Sequence, residues 1–355
     1  MSFRRPHYSF PLLGALLLLR KCIRTRANLG QSYVRHKKIT MTFGKSNIQG
    51  GIYTPVTTFF KNEKCSSLDL NSQAEHAKML YKSGISGLVV AGSMGECTNL
   101  TTYERLSVVK SMRGEIPDKN FKIIMGTPPI SSIEDIVKES SSAADVGADV
   151  LLVLVPGFFG AHLTSQQGLI DYFERLANNS KLPIMIYNYP SVSNNVTLSM
   201  STFERLSCHE NIMGVKLTHP DLGLYTYLGN ESSITGNSFI CFTGLGQLLL
   251  PAMAVGTSGA IDALSAIFPK TMVHLYKLCK DGKMKEASKL QFHVSKAEVM
   301  VADLNVVGVK YALKELYGVG ECVTGRAPLS TQVNLDAYNK YRKDLQTLQE
   351  IEKSL

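Results

Sequence analysis

The chain has no apolar run long enough to cross a bilayer, no closely paired cysteines and no Asp or Glu in its first fifty residues. The stretch Phe10 to Leu19 (FPLLGALLLL) falls short of the roughly 20 apolar residues a spanning helix needs, so no membrane-embedded mature protein is expected. Seven cysteines (Cys22, Cys65, Cys97, Cys208, Cys241, Cys279, Cys322) are scattered and odd in number, without a C-x-x-C pair. That pattern fits a reducing compartment and excludes a disulfide framework. Eight histidines include no H-E-x-x-H and no zinc-like Cys/His spacing, so no metal site is expected. Low-complexity tracts are also missing.

The formal net charge is +9, yet ten basic side chains lie in the first fifty residues, which leaves −1 on the rest. The basic character therefore concerns addressing and gives no reason to expect nucleic-acid binding. An Arg-rich, acid-free segment carrying Ser and Thr reads as a mitochondrial targeting leader over residues 1–47. A secretory reading of Phe10 to Leu19 ranks behind it. Met41 offers a second start, which would give a cytoplasmic form without the leader.

From about residue 48, short β-branched runs alternate with longer helical patterns. Eight strands are predicted: Gly51–Thr57, Gly87–Ala91, Lys122–Gly126, Val150–Val155, Pro183–Tyr187, Met213–Leu217, Phe239–Thr243 and Gly259–Ala263. The continuous apolarity of Leu151 to Val155 suits strands covered on both faces. Capping boxes are expected at Thr101/Glu104, Ser131/Glu134 and Ser201/Glu204. Leu70, Ala74, Ala77, Leu80 and Tyr81 form a stripe for docking on a sheet. Eight such units predict an α/β fold, a (β/α)8 TIM barrel over 48–268. A helical extension of three or four helices is expected over 269–355, packed on the barrel.

Catalytic side chains of this architecture sit at strand C-termini. Lys216 closes the apolar run Ile212 to Leu217, where burying an ammonium group is costly, and Tyr187 ends the strand before it. A lysine kept from water yields its amine more readily, and a neighbouring phenol can shuttle protons, which together suggest imine chemistry on a ketone. Ser93 follows the second strand within Gly92-Ser93-Met94-Gly95-Glu96, a turn whose glycines let backbone amides approach a carboxylate. A phosphate site at Gly244-Leu245-Gly246 is a weaker reading, and His219 is expected to hydrogen-bond within its loop.

Together the segments Gly51-Ile52-Tyr53-Thr54-Pro55-Val56-Thr57-Thr58, Gly92 to Glu96, Tyr187-Asn188-Tyr189-Pro190, Gly214-Val215-Lys216 and Gly325-Arg326-Ala327-Pro328-Leu329 resemble the dihydrodipicolinate synthase and N-acetylneuraminate lyase superfamily of pyruvate-dependent class I aldolases. The resemblance covers about residues 48 to 330. It implies that Lys216 forms the Schiff base, that Tyr187 is the general acid/base, and that Ser93 with the Met94 amide binds the pyruvyl carboxylate. Gly92, Thr58 and Ile261 complete the expected substrate-binding set. No cofactor is implied. The partner is a small-molecule keto acid, and the family precedent implies a homotetramer or homodimer.

Two departures narrow the activity. Val192 stands where dihydrodipicolinate synthases carry an arginine, which argues against lysine biosynthesis. Phe158 and Phe159 replace a tyrosine pair that often relays protons, so that relay is rerouted or lost. The chain is most similar to 4-hydroxy-2-oxoglutarate aldolases and fungal 2-keto-3-deoxy sugar-acid aldolases, which implies retro-aldol cleavage of a 4-hydroxy-2-keto acid. A non-catalytic keto-acid-binding protein is the reading from another class.

Overall fold

A computed structural model describes residues 48–62 and 64–355; the leader assigned to 1–47 lies outside the described residues. Eight parallel strands close on themselves: β1 Gly51–Pro55, β2 Gly87–Val90, β3 Lys122–Gly126, β4 Val150–Leu154, β5 Ile184–Asn188, β6 Ile212–Leu217, β7 Ile240–Thr243 and β8 Gly259–Ile261. The strands follow chain order around the barrel, and Gly51 paired with Gly259 closes it. This is the (β/α)8 TIM barrel expected from the sequence.

Helices alternate with the strands: α1 Leu70–Lys82, α2 Thr102–Glu115, α3 Ile133–Asp145, α4 Gln166–Asn179, α5 Met200–Ser207, α6 Leu222–Asn230 and α7 Leu249–Ala254. The extension supplies α8 Pro269–Lys280, α9 Met284–Tyr317, α10 Leu335–Asn339 and α11 Arg342–Ser354. Ala287, Val294, Ala297 and Met300 of α9 share one buried cluster with Ala260 of β8 and Ile267, so the extension seals the barrel side. A second apolar cluster fills the barrel interior with Tyr53, Val89, Ile124, Leu152, Met185 and Phe242. Among the described residues no helix is long and apolar enough to cross a membrane.

The structure differs from the sequence expectation in local ways. β1 stops at Pro55, two residues short of the expected Thr57, although the Val56 amide still donates to the Val89 carbonyl at 3.1 Å. A small antiparallel pair, Phe60–Lys61 with Ser67–Leu68, follows it unannounced. β8 ends at Ile261 because the next residue turns the chain: the Asp262 carboxylate accepts from the Ser265 amide at 3.0 Å, and the Ser265 hydroxyl donates back to the Asp262 carbonyl at 2.6 Å. The Thr101/Glu104 capping box forms as expected. The N-caps of α3 and α5 are instead Ser132, one residue downstream of the expected site, and Ser199, two residues upstream of it, each accepting from its N3 amide. Glu204 is engaged by the Tyr227 hydroxyl instead of a cap.

The stripe on α1 is also corrected. Its buried face is Gln73, His76, Ala77 and Leu80, while Tyr81 is 42% exposed. Gln73 is buried because its amide nitrogen donates to the Thr57 carbonyl at 3.0 Å and its oxygen accepts from the Phe59 amide at 3.1 Å. His76 Nε2 donates to the Ala266 carbonyl at 2.9 Å. Buried polar groups that find such partners behave as core residues, which hydrophobic patterning does not register.

Candidate active site

Lys216 sits one residue from the end of β6 and is 6% exposed. The ladder between β5 and β6 skips Met213: Ile184 pairs with Ile212 and Met185 with Gly214, so that Tyr187 falls opposite Lys216. Such a bulge re-aims the side chains beyond it. Gly214 is needed there because a Cβ would stand 2.2 Å from the Ile240 carbonyl oxygen. The result brings the Lys216 ammonium nitrogen 4.4 Å from the Tyr187 ring centroid. Among the described residues Lys216 forms no ion pair.

Ser93 enters from the turn after β2, its Oγ 3.5 Å from the Tyr187 hydroxyl. The turn is tight: the Gly95, Glu96 and Cys97 amides donate back to Gly92, Ser93 and Gly92 carbonyls. Gly95 approaches so closely that a Cβ would lie 2.8 Å from the Ala91 nitrogen. The amides of Ser93 and Met94 have no acceptor among the described residues, which leaves two donors beside Lys216 for an anionic oxygen.

A cavity of about 260 Å³ joins these groups, lined by Ser93, Met94, Tyr187, Lys216 and Ile261 together with Thr218, Val192 and residues of α9. A neighbouring lobe of about 280 Å³ holds Gly92 and shares Ser93, Tyr187 and Val192 with the first. Of the expected set, only Thr58 stands apart. Its hydroxyl is buried and donates to the Gly95 carbonyl at 2.7 Å, bracing the Ser93 turn from beneath instead of facing the cavity. Phe158 and Phe159 are 70% and 69% exposed, pack edge to face and line neither lobe. His219 hydrogen-bonds within its loop, Nδ1 accepting from the Asp221 amide at 3.3 Å. Burial holds it below its usual range.

Sequence reasoning missed the support of this site. Glu96, the last residue of the Ser93 turn, is held by Lys310 of α9 at 2.5 Å, with both side chains fully buried. Its other oxygen accepts from the Arg326 amide at 2.9 Å. Arg326 in turn grips Glu104 through two nitrogens at 2.9 and 2.6 Å. The Gly325 to Leu329 motif is thereby a strap under the turn that carries Ser93. Also missed were two buried carboxyls, Asp262 and Glu298, and Asn305, which breaks α9 with φ 48° and ψ −138° at the cavity wall. An acidic residue in the apolar run Gly259 to Ala263 was the available signal for the first. Among the described residues no group of three or more His, Cys, Asp or Glu is arranged to hold a metal ion.

A closed eight-stranded barrel with a buried lysine, a tyrosine and an amide-lined turn at its C-terminal mouth defines the class: a (β/α)8 barrel with a lysine-centred pocket. The chain belongs to the dihydrodipicolinate synthetase family, whose model matches residues 48–348. Among its relatives is the Emericella nidulans protein named "Probable 4-hydroxy-2-oxoglutarate aldolase, mitochondrial", 33% identical over 76% of this chain and 86% of that protein. The L-threo-3-deoxy-hexylosonate aldolase of Hypocrea jecorina is 30% identical over 76% of this chain and 87% of its own length. A crystal structure of a dihydrodipicolinate synthase family protein from Coccidioides immitis is similar with a TM-score of 0.75 and 28% identity, covering 86% of this chain and 98% of that one. With these relatives the chain is a lyase-type aldolase of that family.

Proposed function

We propose that the protein is a Schiff-base aldolase that cleaves a 4-hydroxy-2-keto acid into pyruvate and an aldehyde. The observation that carries this reading is the buried Lys216 amine over the Tyr187 ring in a cavity rimmed by free amides. The amine attacks the C2 carbonyl, and Tyr187 supplies the proton with which the carbinolamine oxygen leaves as water. As the 4-hydroxyl group gives up its proton to a base, the iminium takes up the electron pair of the C3–C4 bond, giving the aldehyde and an enamine. Protonation of C3 and hydrolysis release pyruvate and restore Lys216. Ser93 and the Met94 amide hold the C1 carboxylate throughout. No cofactor is required.

The charges at the cavity favour a hydroxyl-rich tail on the substrate. Lys216 is the one cation among its described lining residues and Glu298 the one acid, so a second carboxylate, as in 4-hydroxy-2-oxoglutarate, meets no compensating charge. A 2-keto-3-deoxy sugar acid carries neutral hydroxyls there. The 4-hydroxy-2-oxoglutarate reading rests on the name of the Emericella relative. Val192 at the wall gives a dihydrodipicolinate synthase-like condensation no guanidinium to bind a second carboxylate. We assign a mitochondrial address, which the basic leader and the same relative's name support, and a homo-oligomeric state on family precedent.

The test is pyruvate release from 2-keto-3-deoxy hexonates and from 4-hydroxy-2-oxoglutarate at matched concentrations. A higher kcat/KM for the sugar acid is expected. The reverse ranking would transfer the assignment to the dicarboxylate, and no release from either would overturn the aldolase.

A further inference from the structure

Two buried carboxylic acids without a role in the scheme above adjoin the Lys216 cavity, and of the two only Glu298 lines it. Asp262 follows β8, directly after the cavity-lining Ile261, and is wholly buried. Glu298 projects from α9, lines the same cavity as Lys216 and is 4% exposed. The two converge on the turn after β7: a Cβ on Gly246 would stand 3.0 Å from Glu298 Oε2 and 3.2 Å from Asp262 Oδ1. Only glycine leaves room for both. Asp262 Oδ2 and Glu298 Oε2 are buried without a hydrogen-bond partner, although an unpartnered buried carboxylate oxygen is costly.

We propose that Glu298 is a catalytic residue of the Lys216 site, transferring the proton of the substrate's 4-hydroxyl group, and that Asp262 is the positioning residue that sets when Glu298 gives that proton up. This rests on the imine chemistry proposed above. As the C3–C4 bond breaks, its electron pair passes to the enamine and the 4-hydroxyl proton moves to the Glu298 carboxylate, leaving the aldehyde carbonyl. The same proton then forms the new C3–H bond of the pyruvate imine, and Glu298 returns to its carboxylate form. Tyr187 remains assigned to carbinolamine dehydration and to hydrolysis.

Neighbouring acids in a dry site do not ionise together, so the pair holds one proton where an isolated exposed carboxylate holds none. Glu298 is pushed up first by burial and then by the charge of Asp262. Asp262 is pushed up by burial, against which the Ser265 amide and the Lys216 charge both work. The charges bearing on the pair thus come from β6, from the turn after β8 and from α9. Gln247 and Ser265, on the adjoining turns, are uncharged.

Methyl exchange of pyruvate in heavy water, followed by NMR on the full-length protein, isolates proton transfer at C3. Borohydride trapping of pyruvate on Lys216 reports imine formation separately. Glu298→Gln is expected to trap pyruvate while losing about 100-fold or more of the exchange rate. Asp262→Asn removes a negative neighbour, so Glu298 ionises at lower pH and the acid limb of the exchange profile moves down by about one unit. That second variant serves if Glu298→Gln fails to fold. Exchange by Glu298→Gln at the wild-type rate, or an unmoved acid limb in Asp262→Asn, overturns the inference and leaves the aldolase intact. Equal losses of trapping and exchange in Glu298→Gln also overturn it, because the residue then only holds the site together. If wild-type protein traps no pyruvate, the aldolase reading itself falls.

Discussion

Tyr187 lies directly beside Lys216 in the β5–β6 ladder, with the ammonium nitrogen 4.4 Å from the ring centroid. The contact is to the ring face, so a phenylalanine would keep the packing and remove only the hydroxyl. Tyr187→Phe is expected to fold normally and to form the pyruvate imine about 100-fold more slowly or worse. The rate of pyruvate-dependent inactivation by borohydride measures this. An unaltered rate would take proton transfer away from Tyr187.

The turn that carries Ser93 is expected to act on binding more than on turnover. Ser93→Ala removes one donor to the keto-acid carboxylate, so KM should rise several-fold, about 1–2 kcal/mol, with kcat less affected. Gly95→Ala drives a methyl group to within 2.8 Å of the Ala91 nitrogen, deforming the turn, and should raise KM further. Steady-state kinetics on both variants separates the two effects. A rise confined to Ser93→Ala would mean that the turn tolerates the strain.

The Glu96–Lys310 pair fastens that turn to α9 from a site with no solvent access. Removing one member strands the other charge, so Lys310→Met should cost about 3–5 kcal/mol of stability. The double variant Glu96→Gln, Lys310→Met should lose less than the two single losses added. Chemical denaturation of the four proteins tests this, and strict additivity would deny the coupling.

His76 provides a pH signature remote from the active site. Burial lowers it to about 4, against which its bond to the Ala266 carbonyl acts only in part. A histidine depressed in the folded state contributes full stability above its unfolded value near 6.5, and loses that contribution as pH falls toward about 4. The loss amounts to about 3 kcal/mol. His76→Gln should therefore show a shallower fall in stability between about pH 6.5 and 4 than wild type in urea titrations. Parallel slopes would place the titration elsewhere.

The barrel was legible because eight buried parallel strands leave continuous apolar runs, and Leu151 to Val155 cannot be mistaken for a surface segment. Lys216 and Tyr187 were legible for the opposite reason: each is a polar group where such a run stops. What escaped depends on contacts between distant parts of the chain. Nothing around Lys310 announces that it reaches Glu96, 214 residues away. Gln73 and His76 read as the polar side of a helix until their partners on other segments are known. Thr58 looked like a ligand residue because it adjoins a motif, yet its hydroxyl is spent on the Gly95 carbonyl. Glu298 lies on a helix beyond the barrel pattern, and Asn305 gives no helical signal that it will break α9 at the cavity.

The most direct test of the account is borohydride reduction in the presence of pyruvate, followed by mass spectrometry of the peptide that contains Lys216. The account predicts one reduced pyruvyl adduct on Lys216, absent from Lys216→Ala. Well-folded protein that carries no adduct, or carries it on another lysine with Lys216→Ala equally labelled, would contradict it.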